Sequence, residues 1–76
     1  MSGDDQAALD RFERALPLLK KQNNPEYPTI LANYAYTLGK CGYGENALRC
    51  LNDAENAGYA HADQIRSNLA KLGIHK

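Results

Sequence analysis

Apolar residues recur along this chain at steps of three and four, and nowhere in alternation. A first segment carries Leu9, Phe12, Leu16 and Leu19, with Ala8 and Ala15 filling the same side. A second carries Leu31, Tyr34, Ala35 and Leu38, a third Ala47, Leu48, Leu51 and Ala54, and a fourth Ile65, Leu69 and Leu72. Such spacing gathers side chains on one side of an α-helix, whereas a half-buried strand needs a period of two. The chain has no valine, and no run of alternating Ile or Thr suggests a strand. The spacing therefore predicts helices over about 4–21, 25–41, 44–57 and 62–72, stacked as antiparallel hairpins in one all-α domain over 1–76.

The punctuation between these segments fits helices as well. Ser2 or Asp4 is placed to cap the first. Pro17 lies inside it, where the ring removes a backbone bond and crowds the carbonyl of Glu13, so a kink or an irregular last turn is expected. In KQNNPEYP, Asn24 can cap the second helix, with Pro25 and Pro28 in its first turn, where amide hydrogens have no intrahelical partner. Gly42 is placed to end the second helix as a left-handed cap, Gly58 closes the third, and Gly73 follows the fourth.

At 76 residues the chain buries only roughly 60% of its unfolded surface, so its margin of stability is thin. Nine Lys plus Arg balance nine Asp plus Glu, which leaves no excess charge to hold nucleic acid or a membrane surface. No apolar run approaches the length of about 20 residues needed to cross a bilayer. The start, MSGDDQAALD, is acidic where a signal peptide is basic, so an intracellular, cytoplasmic protein is expected. Two cysteines are too few for a disulfide framework, and free thiols are expected.

The stretch LGKCGYGENALRC, Leu38 to Cys50, invites a search for chemistry. Gly39, Gly42 and Gly44 form G-x-x-G-x-G, which is not the dinucleotide fingerprint and lacks the preceding strand of the common phosphate loops. Cys41, Cys50, His61 and His75 are separated by 9, 11 and 14 residues, spacings that fit none of the common zinc patterns. Cys50 reads as a packing residue and Cys41 as a residue near the turn. His61 is placed to cap the fourth helix, and His75 falls in a frayed end. Neither histidine has a serine or cysteine beside it by helical spacing, so no nucleophile and base pair is formed. Asp4 with Asp5, and Asp53 with Glu55, miss the steps of three or four that would converge on a substrate. No catalytic residue, metal, cofactor or small-molecule substrate is expected.

The chain also carries an internal echo. Ala8, Phe12 and Ala15 have the spacing of Ala47, Leu51 and Ala54, at an offset of 39 residues. Over Pro28 to Ala60 the sequence resembles the tetratricopeptide repeat, a helical hairpin that recurs about every 34 residues. Leu31 stands at the family's large first-helix residue, Tyr34 and Ala35 at its leucine-glycine pair, and Leu38 at its late tyrosine. Ala47, Leu51 and Ala54 match the alanine, aromatic and alanine of its second helix. Gly44 stands where the family usually has an aromatic residue, and Tyr59 where it usually has proline. The offset of 39 resembles the kinesin-light-chain variety, with an extended linker.

On this resemblance the first helix is the second half of one repeat and the middle pair a complete repeat. The last helix is the first half of another repeat, or a cap. The resemblance implies that the second helix lines a partner-binding groove with Thr29, Ala32, Asn33, Tyr36 and Lys40, while Gly39 is a small residue on the groove side near its end. Asn33 matches an asparagine of the chaperone-tail binding members, but Tyr36 and Asp63 stand where their clamp has asparagine and lysine. The implied function is a non-catalytic module that binds a peptide or helix of a partner protein. One alternative is self-assembly, because short arrays leave apolar sides uncovered. Another is RNA binding, because LGKCGYGENAL also resembles the pentatricopeptide repeats, although the zero net charge argues against nucleic acid.

Overall fold

The computed structural model describes residues 3–74. It forms four helices, α1 (Gly3–Lys21), α2 (Tyr27–Lys40), α3 (Gly44–Asn56) and α4 (Ala62–Lys71), with no strand among the described residues. Each helix begins and ends within two residues of where the apolar spacing places it. The expected roles of Ser2 and His75 fall outside the described residues.

All four helices end in the same way. After α2, Gly42 takes φ 91°; its amide donates to the Gly39 carbonyl at 3.1 Å and the Tyr43 amide to the Leu38 carbonyl at 2.9 Å. These two bonds close a Schellman motif. Gly58 and Gly73 do the same for α3 and α4, with Tyr59 donating to Ala54 and Ile74 to Leu69. The α1 terminus uses Asn23 at φ 53°, with Asn24 donating to the Leu19 carbonyl at 3.0 Å. Asparagine is the side chain that best tolerates this conformation when glycine is absent.

Two expectations about helix ends are corrected. α1 runs through Pro17 to Lys21 without an irregular last turn. Pro17 and Glu13 are both exposed, so the ring meets no packed neighbour and water can reach the unbonded carbonyl. α2 begins at Tyr27, two residues later than expected, with Glu26 as its flanking residue. Asn24 still organises the entry, because its Oδ1 accepts the Glu26 amide at 2.9 Å and its carbonyl accepts the Tyr27 amide at 3.0 Å. Pro28 alone lies in the first turn of the helix.

α2 is the centre of the molecule. It packs on α1, α3 and α4, α4 also packs on α3, and α1 approaches α2 alone. The Cα envelope measures 34 × 27 × 15 Å. With helix axes 8–10 Å apart in contact, that leaves depth for about two layers. Leu9, Ala35, Leu38, Ala47, Leu51, Ala62 and Leu69 form one core cluster. Leu16, Leu31, Ala32 and Ala54 form a second. The thinness of the molecule shows in its core, where Leu51 and Leu69 are the only large side chains fully enclosed among the described residues.

The repeat is present at a different spacing from the one the sequence echo suggests. Helix ends Lys21 and Asn56, left-handed residues Asn23 and Gly58, and helix starts Tyr27 and Ala62 are each 35 residues apart. The two connections have five residues each, 22–26 and 57–61, so no extended linker exists here. In this register Phe12, Leu16 and Leu19, and not Ala8, Phe12 and Ala15, take the places of Ala47, Leu51 and Ala54. The offset of 39 slips α1 by one helical turn, a shift that preserves helical spacing and is therefore invisible to it.

Candidate functional site

Thr29, Asn33, Tyr36 and Lys40 follow one another at steps of four, three and four along α2, which puts them on one side of the helix. Thr29, Asn33 and Lys40 are exposed and Tyr36 is half-buried. The stripe runs about 16 Å at 1.5 Å per residue, the length of roughly five residues of extended chain. The opposite sides of α2 are committed to its three neighbours, so the stripe is presented on an element that cannot turn.

Its chemistry is partly pre-arranged. The Tyr36 ring packs against the first core cluster, and the Lys40 ammonium lies 5.4 Å from its centroid, within cation–π range. Lys40 Nζ also pairs with Asp5 Oδ1 of α1 at 3.3 Å. Asp5, expected to be a merely solvated acid, thus helps fix the lysine at the end of the stripe. The Asn33 side chain forms no hydrogen bond among the described residues, while its carbonyl accepts Thr37 Oγ1 at 2.9 Å. That bond satisfies the only buried polar residue among those described.

Two residues expected on this side are elsewhere. Ala32 is completely buried in the second core cluster, against which Ile65 of α4 packs, so it offers a partner nothing. Gly39 is buried too. A Cβ there would run into the Leu69 side chain and come within 3.1 Å of Ile74 Cδ1. Gly39 marks where α4 crosses closely over α2, and a small residue is the condition of that approach. Spacing places both residues beside the stripe, but only the packing of the helices decides that their edge is covered.

The 35-residue register adds residues that spacing within α2 does not reach. Gln64, Asn68 and Lys71 of α4 stand in the places of Thr29, Asn33 and Tyr36, and all three are exposed. An asparagine therefore recurs at the same position of consecutive units. Asp63, also exposed, does not supply a clamp lysine; its carboxylate accepts Arg66 at 3.1 Å, and Arg66 reaches Glu55 of α3 at 2.9 Å. The Glu55 hydrogen bond is the first reason that the Arg66 guanidinium holds its proton more firmly than usual.

The glycine and cysteine stretch is a turn. Gly42 and Tyr43 close α2, and Ile74 packs against Gly44 at the start of α3. Cys41 and Cys50 are free thiols. Burial, reinforced by Asp53 and opposed by Arg49, pushes the Cys50 thiol pKa up, the reverse of what a nucleophile needs. Burial first, then Glu13 and Cys50, raises Tyr34 likewise, and its ring tilts against Phe12 at 5.7 Å. His61 flanks α4 without a side-chain capping bond. Among the described residues no three His, Cys, Asp or Glu side chains gather as metal ligands. Among the described residues no helix is long and apolar enough to cross a membrane. Clefts of about 470 Å³ and 450 Å³ lie away from the stripe, one by the interhelix turns at Asn24 and Gly58, the other on α1. No protein-family model, curated protein or solved structure matches this chain.

Proposed function

We propose that this chain is a non-catalytic interaction module of the tetratricopeptide kind, holding an extended peptide or a helix of a partner protein along the exposed sides of α2 and α4. The observation that carries the reading is the Thr29, Asn33, Tyr36 and Lys40 stripe, with its tyrosine seated on the core and its lysine fixed by Asp5. The stripe offers an amide for a peptide backbone, an aromatic surface of low conformational entropy and one cation. Hairpins recurring at 35 residues lie close to the family's period of about 34, and α2 packs on both the helix before it and the two after it, as an inner helix of such a stack does. Two free thiols suit a cytoplasmic setting.

Immobilised chain should retain a partner from cell extract, and the double variant Asn33→Ala, Tyr36→Ala should retain markedly less of it while keeping its helical circular dichroism. Equal retention by the two proteins would remove these residues from the site.

A further inference from the structure

The cation of the α2 stripe is presented with its counter-ion already in place. Lys40 Nζ lies 3.3 Å from Asp5 Oδ1, and the side chains of the lysine and the aspartate are 39% and 27% exposed. Asp5 is the more covered of the two and sits in the first turn of α1, where the helix dipole favours a negative charge. The same ammonium lies 5.4 Å from the centroid of the Tyr36 ring, which is itself packed on the first core cluster. Two helices therefore hold this lysine, and α2 carries no other charged residue from Tyr27 to Lys40.

That pairing changes what Lys40 can select. A second carboxylate brought to this ammonium also meets the carboxylate of Asp5, and the repulsion between the two acids offsets the attraction of the lysine. An uncharged acceptor meets no such opposition. An ammonium donates in several directions, so Lys40 keeps N–H donors beyond the one turned to Asp5. The Thr29 hydroxyl and the Asn33 amide on the same side are uncharged as well.

We propose, resting on the peptide-binding reading of the stripe, that Asp5 is a specificity residue: it neutralises Lys40, so that α2 takes an uncharged stretch of a partner chain and turns acidic stretches away. Backbone carbonyls of that stretch accept from the remaining N–H donors of Lys40, and Asn33 reads the backbone beside them. Lys71 of α4, exposed in the place of Tyr36, is the other cation along this side. The discrimination by Asp5 is therefore the part of the acid preference that depends on Lys40.

Selection of short random peptides, displayed on phage, against the immobilised full chain tests this. Peptides selected by Asp5→Asn should carry about twofold or more acidic residues than those selected by the unsubstituted chain, and the double variant Asp5→Asn, Lys40→Met should return to the unsubstituted level. Circular dichroism confirms that each variant is folded, and Asp5→Ser replaces Asp5→Asn if the helix signal is lost. Equal acidic content with and without Asp5, or a gain in Asp5→Asn that survives Lys40→Met, would overturn the role of Asp5 and leave the stripe reading standing. Selected peptides that bind the Asn33→Ala, Tyr36→Ala variant equally well, or no selected peptide at all, would remove the stripe reading and this proposal together.

Discussion

Gly39 carries more structural information than any other single residue. On sequence grounds it is one of three clustered glycines and could serve a turn, a groove or a phosphate; in the structure it is the contact where Leu69 and Ile74 meet α2. Gly39→Ala should therefore lower stability despite alanine's better helix propensity. Overpacking costs typically 1–3 kcal/mol against a propensity gain of at most about 1, and the Leu69 side chain that must shift is fully enclosed. Urea denaturation should show a net loss of about 1–2 kcal/mol; a gain would mean that α4 yields to the methyl group.

Cys50 gives a second test at the same scale. Its thiol and the Tyr34 hydroxyl both have folded pKa values raised above their ordinary 9.0 and 10.0. An acid that keeps its proton longer in the fold contributes stability that is fully present below its unfolded pKa and is lost as pH rises through its folded one. Stability should hold up to about pH 9 and decline above it. Cys50→Ala should flatten the earlier part of that decline, and alkylation of Cys50 by iodoacetamide near neutral pH should be slower in the folded chain than after unfolding. Equal alkylation rates would show the thiol to be unprotected.

At the scale of elements, the helices were legible because their periodicity and their ends agree. Gly42, Gly58 and Gly73 can be read as stops from sequence, and each takes positive φ. Asn23 was harder to read, because it sits among lysines, glutamine and asparagine that all suit a loop; only the bond from Asn24 to Leu19 reveals it as the fourth stop of the same kind. At Pro17 an irregular last turn is expected from sequence, but the helix continues regularly to Lys21. A proline deep in a helix forfeits a hydrogen bond, and on the solvent side it gains no packing in return. Pro17→Ala should raise stability by about 1–3 kcal/mol, seen as a higher denaturation midpoint at unchanged slope. A loss would show that the proline shapes how α1 lies on α2.

At the scale of the molecule, what the sequence hides is which sides meet. Spacing tells that a residue is on a face, not that another helix crosses it, so Thr29, Asn33 and Lys40 are exposed as expected while Ala32 is enclosed in the core and Gly39 is covered by Leu69 and Ile74, about 30 residues later in the chain. The same limit explains the slipped repeat, since a shift of one helical turn keeps every apolar step intact and only the matched turns at 22–26 and 57–61 fix the register. With that register set, Asn68 becomes the counterpart of Asn33. These assignments put Thr29, Asn33 and Lys40 of α2 and Gln64, Asn68 and Lys71 of α4 at exposed positions of helices 35 residues apart.

The central claim is that this side receives the partner. Titrating the isotope-labelled chain with the partner segment recovered by capture, and following backbone amide shifts, tests it most directly. The account predicts perturbations concentrated at Thr29, Asn33, Tyr36 and Lys40 and extending to Gln64, Asn68 and Lys71. Perturbations centred instead on the exposed side of α3, at Glu45, Arg49 and Asn52, would contradict it.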